Sequence, residues 1–292
     1  MKNLATTYAE SSDGIEENNI SDRKKAISLY KDVLKLRPED KETYYLLGMA
    51  YGDIDKYEKS IVYFKKALEQ DENYYSANLW LGKVYFELED YEKALEYYNK
   101  AILLNPNSVS TYFRRAEIYQ NLKKYKEAIN DYLDVIEEFN NKEYTQRSYV
   151  NRALISIEND DISNAKEFLS KAAEIEFKKN SNYYIVQFKY YAKLNSFNDA
   201  IIAIDNAISE SNKLKNSLKY EKALYQFKNN KFTDALDTIN SIKSSSIEKL
   251  GLTEKILKLE YIIYNKINDK KNMERIIMQI REYDPNFKDE NN

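Results

Sequence analysis

The stretch that decides the fold is residues 77–106, ANLWLGKVYFELEDYEKALEYYNKAILLNP, because its residues 77–105 repeat residues 43–71 at a constant offset. The glycines of the two stretches, Gly48 and Gly82, occupy the same place in the repeat. The other matched positions keep that offset: Leu47 with Leu81, Tyr51 with Tyr85, Tyr57-Glu58-Lys59 with Tyr91-Glu92-Lys93, Phe64 with Tyr98, and Ala67 with Ala101. Self-similarity at a period of about 20–50 residues is typical of proteins built from stacked repeats.

One small residue, which opens the second helix of each unit, extends this frame along the chain. It recurs as Ala26, Ser60, Ala94, Ala128, Ala165, Ala200, Ala235 and, more loosely, Met273. The interval between successive members is constant from Ala26 to Ala128, and it is longer and less regular beyond Ala128. The spacing therefore predicts about eight units, regular in the first half and looser after an insertion around 139–145.

Two antiparallel helices that share a tight turn need small side chains where their backbones approach. In the predicted first helices this place is filled by Gly48, Gly82, Ala116, Ala153 and Ala223. Large residues fill the remaining space, namely Tyr51, Tyr85, Tyr119, Phe64, Tyr98 and Tyr132. Only 5 Gly and 3 Pro occur, too few to punctuate the turns of a β-sandwich or barrel.

Residues 81–106 resemble the tetratricopeptide repeat in the order and spacing of seven residues. These are Leu81, Gly82, Tyr85, Ala94, Tyr98, Ala101 and Pro106, while Asn78 stands at the usual Trp position. The resemblance implies an all-α protein, a right-handed superhelical α-solenoid of about eight antiparallel helix pairs. It implies a degenerate or frayed helix at 1–21, well-matched repeats at 22–142, divergent repeats of the same solenoid at 143–287 and a disordered tail at 288–292.

The composition excludes several classes of enzyme. Without Cys or His, the chain has no thiolate or imidazole metal ligand, no Cys nucleophile and no Ser-His-Asp triad. Acidic pairs such as Glu137-Glu138 and Asp160-Asp161 are interpreted as solvated charge. Because the repeats occupy nearly the whole chain, we expect no catalysis, no cofactor and no metal.

The charge balance and hydropathy bear on partners and location. Lys and Arg number 45 against 48 Asp and Glu, a net charge of −3 that argues against a nucleic-acid partner. The first residues lack the apolar core of a signal peptide, and no window approaches the roughly 18 apolar residues of a membrane span. We expect a cytoplasmic protein without membrane contact, unless a leader precedes this sequence.

In the family, the first helices line a concave groove that binds proteins or peptides. The resemblance places that groove on Tyr45, Met49, Leu79, Trp80, Lys83, Phe86, Phe113, Arg114, Glu117, Arg147 and Asn151. Less securely, later positions add Val150, Leu154, Ile185, Lys189, Tyr220, Leu224 and Phe227. Such a wall suits an extended segment or an amphipathic helix. Alternatively, several of these residues pack on the next repeat, and Trp80 is either a binding anchor or a core residue.

A known subtype of the family holds a carboxylate with a clamp of Lys, Asn and Arg residues. Asn151-Arg152 resembles the middle of that clamp, but Phe113 and Glu117 stand where the preceding repeat needs Lys and Asn. A full clamp is therefore rejected, and Arg114, Arg147 and Asn151 are left as a candidate small polar site.

The sequence thus predicts a non-catalytic interaction scaffold that binds a peptide or partner protein in a groove. The alternatives are a regulatory or sensor protein and, with less support, an RNA-binding helical repeat. A homodimer through the C-terminal repeats is a further possibility. Five apolar residues there are expected to be exposed and either to cap the solenoid or to meet a second copy: Ile256, Leu259, Ile263, Ile276 and Ile280.

Overall fold

The computed structural model describes residues 2–3, 6–7, 16–211, 214–243, 250–285 and 287, and in these ranges the chain forms helices and no strands. The helices are α1 (Glu16–Leu36), α2 (Lys41–Gly52), α3 (Tyr57–Gln70), α4 (Tyr75–Glu87), α5 (Tyr91–Leu104), α6 (Val109–Asn121), α7 (Tyr125–Glu137), α8 (Lys142–Glu158), α9 (Ile162–Glu174), α10 (Ser181–Lys193), α11 (Phe197–Glu210), α12 (Lys215–Lys228), α13 (Phe232–Lys243), α14 (Leu250–Lys266) and α15 (Lys270–Tyr283). The predicted all-α solenoid of helix pairs is confirmed.

Each pair consists of an even-numbered first helix and the odd-numbered second helix that follows it, from α2/α3 to α14/α15. The described residues thus hold seven complete pairs, and α1 is the second helix of the first repeat. It begins at Glu16, within the segment 1–21 for which the sequence predicts a degenerate or frayed helix. Residues 2–3 and 6–7 are also helical, and the Tyr30 hydroxyl donates to Thr6 Oγ1 at 3.3 Å. The rest of segment 1–15 and the predicted tail at 288–292 lie outside the described residues.

Close approach of the two helices explains the small residues of the repeat. A Cβ atom on Gly48 would lie 2.6 Å from the Phe64 ring, and one on Gly82 would lie 2.9 Å from the Tyr98 ring. The small residue that opens the second helix has no exposed surface at Ala94. In the preceding pair the equivalent Ser60 donates its hydroxyl to the Gly48 carbonyl at 2.7 Å.

The turn between the helices of every pair has the same backbone conformation. One residue per turn adopts a positive φ of 54–59°, and these residues are Asp55, Glu89, Lys123, Asp160, Asn195, Asn230 and Asn268. In the first turn, Asp55 N–H donates to the Gly52 carbonyl and Lys56 N–H to the Tyr51 carbonyl, both at 3.0 Å. These two bonds form a Schellman motif, which satisfies carbonyls at the helix end. None of the seven residues is glycine, although glycine adopts this conformation most easily.

The chain divides into two compact units, residues 1–152 and 153–292. The first unit contains a buried cluster built around Phe64, Leu81 and Tyr98. The second contains a largely aliphatic cluster built around Ile239, Ile256 and Ile263. The division falls within α8, whereas the sequence predicted a change in repeat quality at 142/143, and that boundary stays a prediction.

The C-terminal apolar residues expected to be exposed are instead buried, and the expectation was wrong. All five, Ile256, Leu259, Ile263, Ile276 and Ile280, are at most 4% exposed. They lie in the clusters that α14 and α15 form with each other and with α13. The homodimer itself stays a prediction, and it would have to use other side chains, such as the exposed Met278.

Candidate functional site

The first-helix face of the first unit is the surface that α2, α4 and α6 present at equivalent positions of successive repeats. Tyr45, Leu79 and Phe113 form one row of equivalent positions, and Met49, Lys83 and Glu117 form the next. Tyr45, Met49 and Leu79 are half-buried, and Lys83 is exposed. Helices α2 and α4 therefore present apolar side chains and a cation that remain partly accessible.

An aromatic cluster joins α2, α3 and α4 beneath this face. The Tyr45 ring lies 5.9 Å from the Phe64 ring and 5.5 Å from the Tyr74 ring, measured between ring centres. Burial raises the pKa of the Tyr45 phenol to about 12. The cluster holds Tyr45 in place on the first-helix face.

Trp80 combines the two roles that the sequence left open. One side of the indole packs on the core, since its ring centre lies 6.2 Å from that of Phe64. The residue remains half-buried, and Lys83 Nζ lies 4.2 Å from the indole centre. This cation–π contact places a positive charge beside the accessible part of Trp80. Farther along α4, Phe86 is half-buried and packs on Tyr91 at 5.9 Å.

Phe113 lies in the core rather than on an accessible groove wall. It is 1% exposed, with the Tyr132 ring at 5.6 Å and the Tyr144 ring at 5.2 Å. The Arg147 guanidinium covers it at 4.4 Å from the ring centre. A ligand on the first-helix face would meet Arg147 in place of Phe113.

Arg114 and Arg147, two members of the candidate polar site, meet at Glu117. Arg114 Nη1 lies 2.7 Å from Glu117 Oε2, and Arg147 Nη2 lies 3.8 Å from Glu117 Oε1. Arg147 also approaches Glu143 at 3.3 Å. The two guanidinium groups are thus paired with acidic side chains of the same unit, and a carboxylate ligand would have to displace them.

The third member, Asn151, takes part in a separate buried network. Its side-chain amide donates to the Tyr132 hydroxyl at 2.8 Å, and that hydroxyl donates to Gln120 Oε1 at 2.9 Å. Asn151 is 7% exposed, and burial raises the pKa of Tyr132 well above its ordinary value. Asn151 and Gln120 therefore fix the position of Tyr132 between α6, α7 and α8.

A cleft of about 550 Å³ lies in the second unit, at the ends of three successive first helices. We call it the lysine cleft. Its lining residues are Leu154, Ile157, Glu158, Phe188, Lys189, Ala192, Lys193, Asn195, Tyr225, Lys228 and Asn229. Sequence reasoning named Leu154 and Lys189 but missed Lys193 and Lys228. Lys193 and Lys228 are one repeat apart, and Lys193 follows Lys189 by one helical turn. The repeat spacing could therefore have predicted that these lysines lie near one another.

The described ranges contain no group of three or more acidic side chains placed to hold a metal ion. Within the same ranges, no helix is both long enough and apolar enough to cross a bilayer. The described side chains of these surfaces include apolar, aromatic and cationic groups, and such groups make noncovalent contacts with a binding partner.

Two family models match parts of the chain. One, described as anaphase-promoting complex, cyclosome, subunit 3, matches residues 55–135. The other, described as tetratricopeptide repeat, matches residues 146–179. A search of curated proteins found no match.

Solved structures share the helix-pair fold. A tetratricopeptide repeat protein from Parabacteroides merdae is 19% identical with a TM-score of 0.67, and the match covers 88% of this chain and 99% of that one. MamA is 27% identical with a TM-score of 0.50, covering 55% of this chain and 92% of MamA. A chain of the APC/C hetero-tetramer Cut9-Hcn1 is 13% identical with a TM-score of 0.65, covering 88% of this chain and 54% of that one.

Proposed function

The chain belongs to the tetratricopeptide-repeat family, and on that premise we propose that it is a non-catalytic scaffold whose first-helix faces bind a peptide segment of a partner protein. The repeat fold is one of interaction scaffolds. We further propose that the partner segment binds on the first-helix faces and that the chain catalyses no reaction.

A row of accessible apolar side chains on the first-helix face of the first unit supports the proposal. Tyr45, Met49, Leu79, Trp80 and Phe86 are all half-buried, with Lys83 exposed among them. Aromatic residues at the centre of a contact, surrounded by polar groups, are typical of binding hot spots. An extended segment or amphipathic helix with apolar residues at regular spacing would cover this row.

Binding to this face is testable with a random peptide library selected on the full chain. The affinity of each selected peptide would be measured by fluorescence anisotropy for the parent and for the double variant Lys83→Glu/Phe86→Ala. Because Phe113 is buried, its substitution would unfold part of the unit and is left out of the test. We expect the double variant to weaken binding about tenfold or more, since each lost hot-spot contact costs about 1–2 kcal/mol.

A matched control carries the same two kinds of change on second helices, Lys65→Glu/Leu103→Ala. Lys65 is exposed, and Leu103 is 83% exposed. The control should bind selected peptides like the parent. Equal weakening in both variants, or no effect in either, would contradict binding on this first-helix face. Circular dichroism of each variant confirms that the fold is unchanged.

A further inference from the structure

We infer that the lysine cleft of the second unit binds an acidic peptide segment in which carboxylates flank an apolar or aromatic side chain. This extends the proposed function, on which it rests, by naming a second location and the chemistry of its ligand.

The charge of the cleft selects for acidic groups. Three lysines, Lys189, Lys193 and Lys228, line it together with one acid, Glu158. Lys193 is paired with Asp160 outside the lining. Lys189 and Lys228 are exposed, and in the part of the chain that the structure describes neither ammonium group has a carboxylate at salt-bridge distance. Two cations are therefore available to carboxylates of a ligand.

The base of the cleft is apolar and held in place by aromatic contacts. Leu154, Ile157 and Ala192 contribute aliphatic surface beside the Phe188 and Tyr225 rings. Tyr225 meets Phe188 edge-on at 5.2 Å and stacks on Phe197 at 5.7 Å. A base fixed in this way loses little conformational freedom on binding, which favours affinity for an apolar side chain.

The two available cations come from two successive first helices. Lys189 lies on α10, and Lys228 ends α12. A ligand that pairs with both helices must cross from one to the other over the apolar base. A peptide with acidic residues on both sides of an apolar residue meets this requirement.

A peptide fits the cleft better than a nucleic acid. Nucleic-acid affinity depends on neutralising many phosphates, whereas this cleft offers three cations, one of them already paired, and one acid. The chain as a whole carries a net charge of −3. The positions of these lysines also differ from those considered for a carboxylate clamp around Asn151.

The test compares two pools of short fluorescein-labelled peptides with degenerate neutral flanks. One pool has a fixed Glu-Asp-Phe-Glu core and the other the uncharged Gln-Asn-Phe-Gln core. Anisotropy with the full chain at physiological salt should show the acidic pool binding about tenfold more tightly, because two exposed ion pairs together contribute about that much. The double variant Lys189→Glu/Lys228→Glu should abolish this preference.

Two further variants separate the cleft from long-range electrostatics. Lys215→Glu/Lys255→Glu makes the same change in net charge at exposed residues outside the cleft lining, and it should keep the preference. Ala192→Leu narrows the cleft without changing charge, and it should weaken binding of the acidic pool several-fold.

Equal binding of the two pools, or equal loss in both charge-reversal variants, would overturn the inference. Tighter, steeply salt-dependent binding of a labelled single-stranded RNA at these lysines would overturn it in favour of a nucleic acid. The first-unit variants distinguish the two proposals: library-selected peptides that depend on Lys83 and Phe86 support the proposed function even where the acidic pool fails.

Discussion

The two units fill the same space between paired helices with different side chains. In the first unit, a glycine of the first helix lies opposite a ring of the second helix, as in Gly48 with Phe64 and Gly82 with Tyr98. In the α12/α13 pair of the second unit, the equivalent positions hold Ala223 and Ile239, which belong to one buried cluster. Across these three pairs, the larger first-helix residue, alanine in place of glycine, faces the smaller second-helix residue, isoleucine in place of an aromatic ring, in keeping with the tolerance of cores to volume-conserving exchange.

A second contrast concerns another pair of facing positions on the two helices of a pair. In the first unit, Tyr51 stacks on Tyr63 with ring centres 5.3 Å apart, and Tyr85 on Tyr97 at 5.6 Å. In the second unit, the equivalent Thr238 hydroxyl donates to the buried Gln226 Oε1 at 2.8 Å. A hydrogen bond between side chains has replaced an aromatic stack.

The largest expected effect comes from breaking the volume match with Gly48→Ala. The new methyl group meets the Phe64 ring at 2.6 Å, so the ring or the helix must shift. We expect a loss of about 2–3 kcal/mol in the free energy of unfolding, typical of an overpacked core. Urea denaturation followed by circular dichroism measures the loss, and hydrogen exchange locates it in α2 and α3.

Two matched variants show whether contact with the ring is the cause. At Gly251 an added Cβ meets nothing within 4 Å, so Gly251→Ala should leave stability unchanged or raise it by up to about 1 kcal/mol. The double variant Gly48→Ala/Phe64→Leu places alanine opposite an aliphatic residue, as Ala223 is opposite Ile239, and it should be more stable than Gly48→Ala alone. A double variant that is less stable than Gly48→Ala would refute the volume argument.

The next largest effect concerns the hydrogen bond of the second unit. Thr238→Val removes the donor to the buried Gln226 oxygen, which should cost about 1–2 kcal/mol because a buried acceptor is left unsatisfied. Tyr63→Phe in the first unit keeps the stack on Tyr51 and should cost less than about 0.5 kcal/mol. Urea denaturation of both variants checks the ranking, and an equal cost would mean that the stack also depends on its hydroxyl.

A smaller effect is expected from pH. Burial raises the pKa of Tyr98, so the folded first unit keeps this phenol neutral while the unfolded chain ionises it above about pH 10. Stability from this residue is therefore complete below about pH 10 and decreases as the pH rises further. Between pH 8 and pH 11, the free energy of unfolding should fall by about 1 kcal/mol less in the Tyr98→Phe variant than in the parent. Urea denaturation of both proteins at the two pH values measures the two decreases.

The smallest effect separates the turns of the two units. The first unit has Asp55, Glu89 and Lys123 at positive φ, whereas three of the four turn residues of the second unit are Asn. Asn tolerates this conformation better than Lys or Glu. Lys123→Gly should therefore stabilise the protein by about 0.5–1 kcal/mol, and Asn195→Gly by no more than a few tenths. Thermal denaturation that ranks Asn195→Gly above Lys123→Gly would contradict this account of the turns.

The repeat could be predicted from the sequence because its signals are local and periodic. Small residues such as Gly82 and Ala94 recur at the spacing that helix pairs require, and the structure places them where backbones approach. The turn conformation had a weaker signal, since none of its seven residues is glycine and only three are Asn.

The candidate site was predicted less well because accessibility depends on neighbouring repeats. Phe113 occupies a groove position by number, but the insertion around 139–145 includes Tyr144, which packs on the Phe113 ring at 5.2 Å. Asn151 likewise uses its side-chain amide in a buried hydrogen bond to the Tyr132 hydroxyl. The lysine cleft was missed because Lys193 lies one turn beyond Lys189 and Lys228 directly follows Phe227, just past the positions considered.

The position of Trp80 also provides an optical probe. It is the only tryptophan among 28 tyrosines and 11 phenylalanines, so selective excitation of indole reports on one place in the first unit. With Lys83 Nζ 4.2 Å from its ring centre and part of its surface accessible, its emission should respond to a ligand that displaces the lysine or excludes water. A ligand confined to the lysine cleft contacts no tryptophan, and the native fluorescence of the chain can tell the two binding events apart without any label.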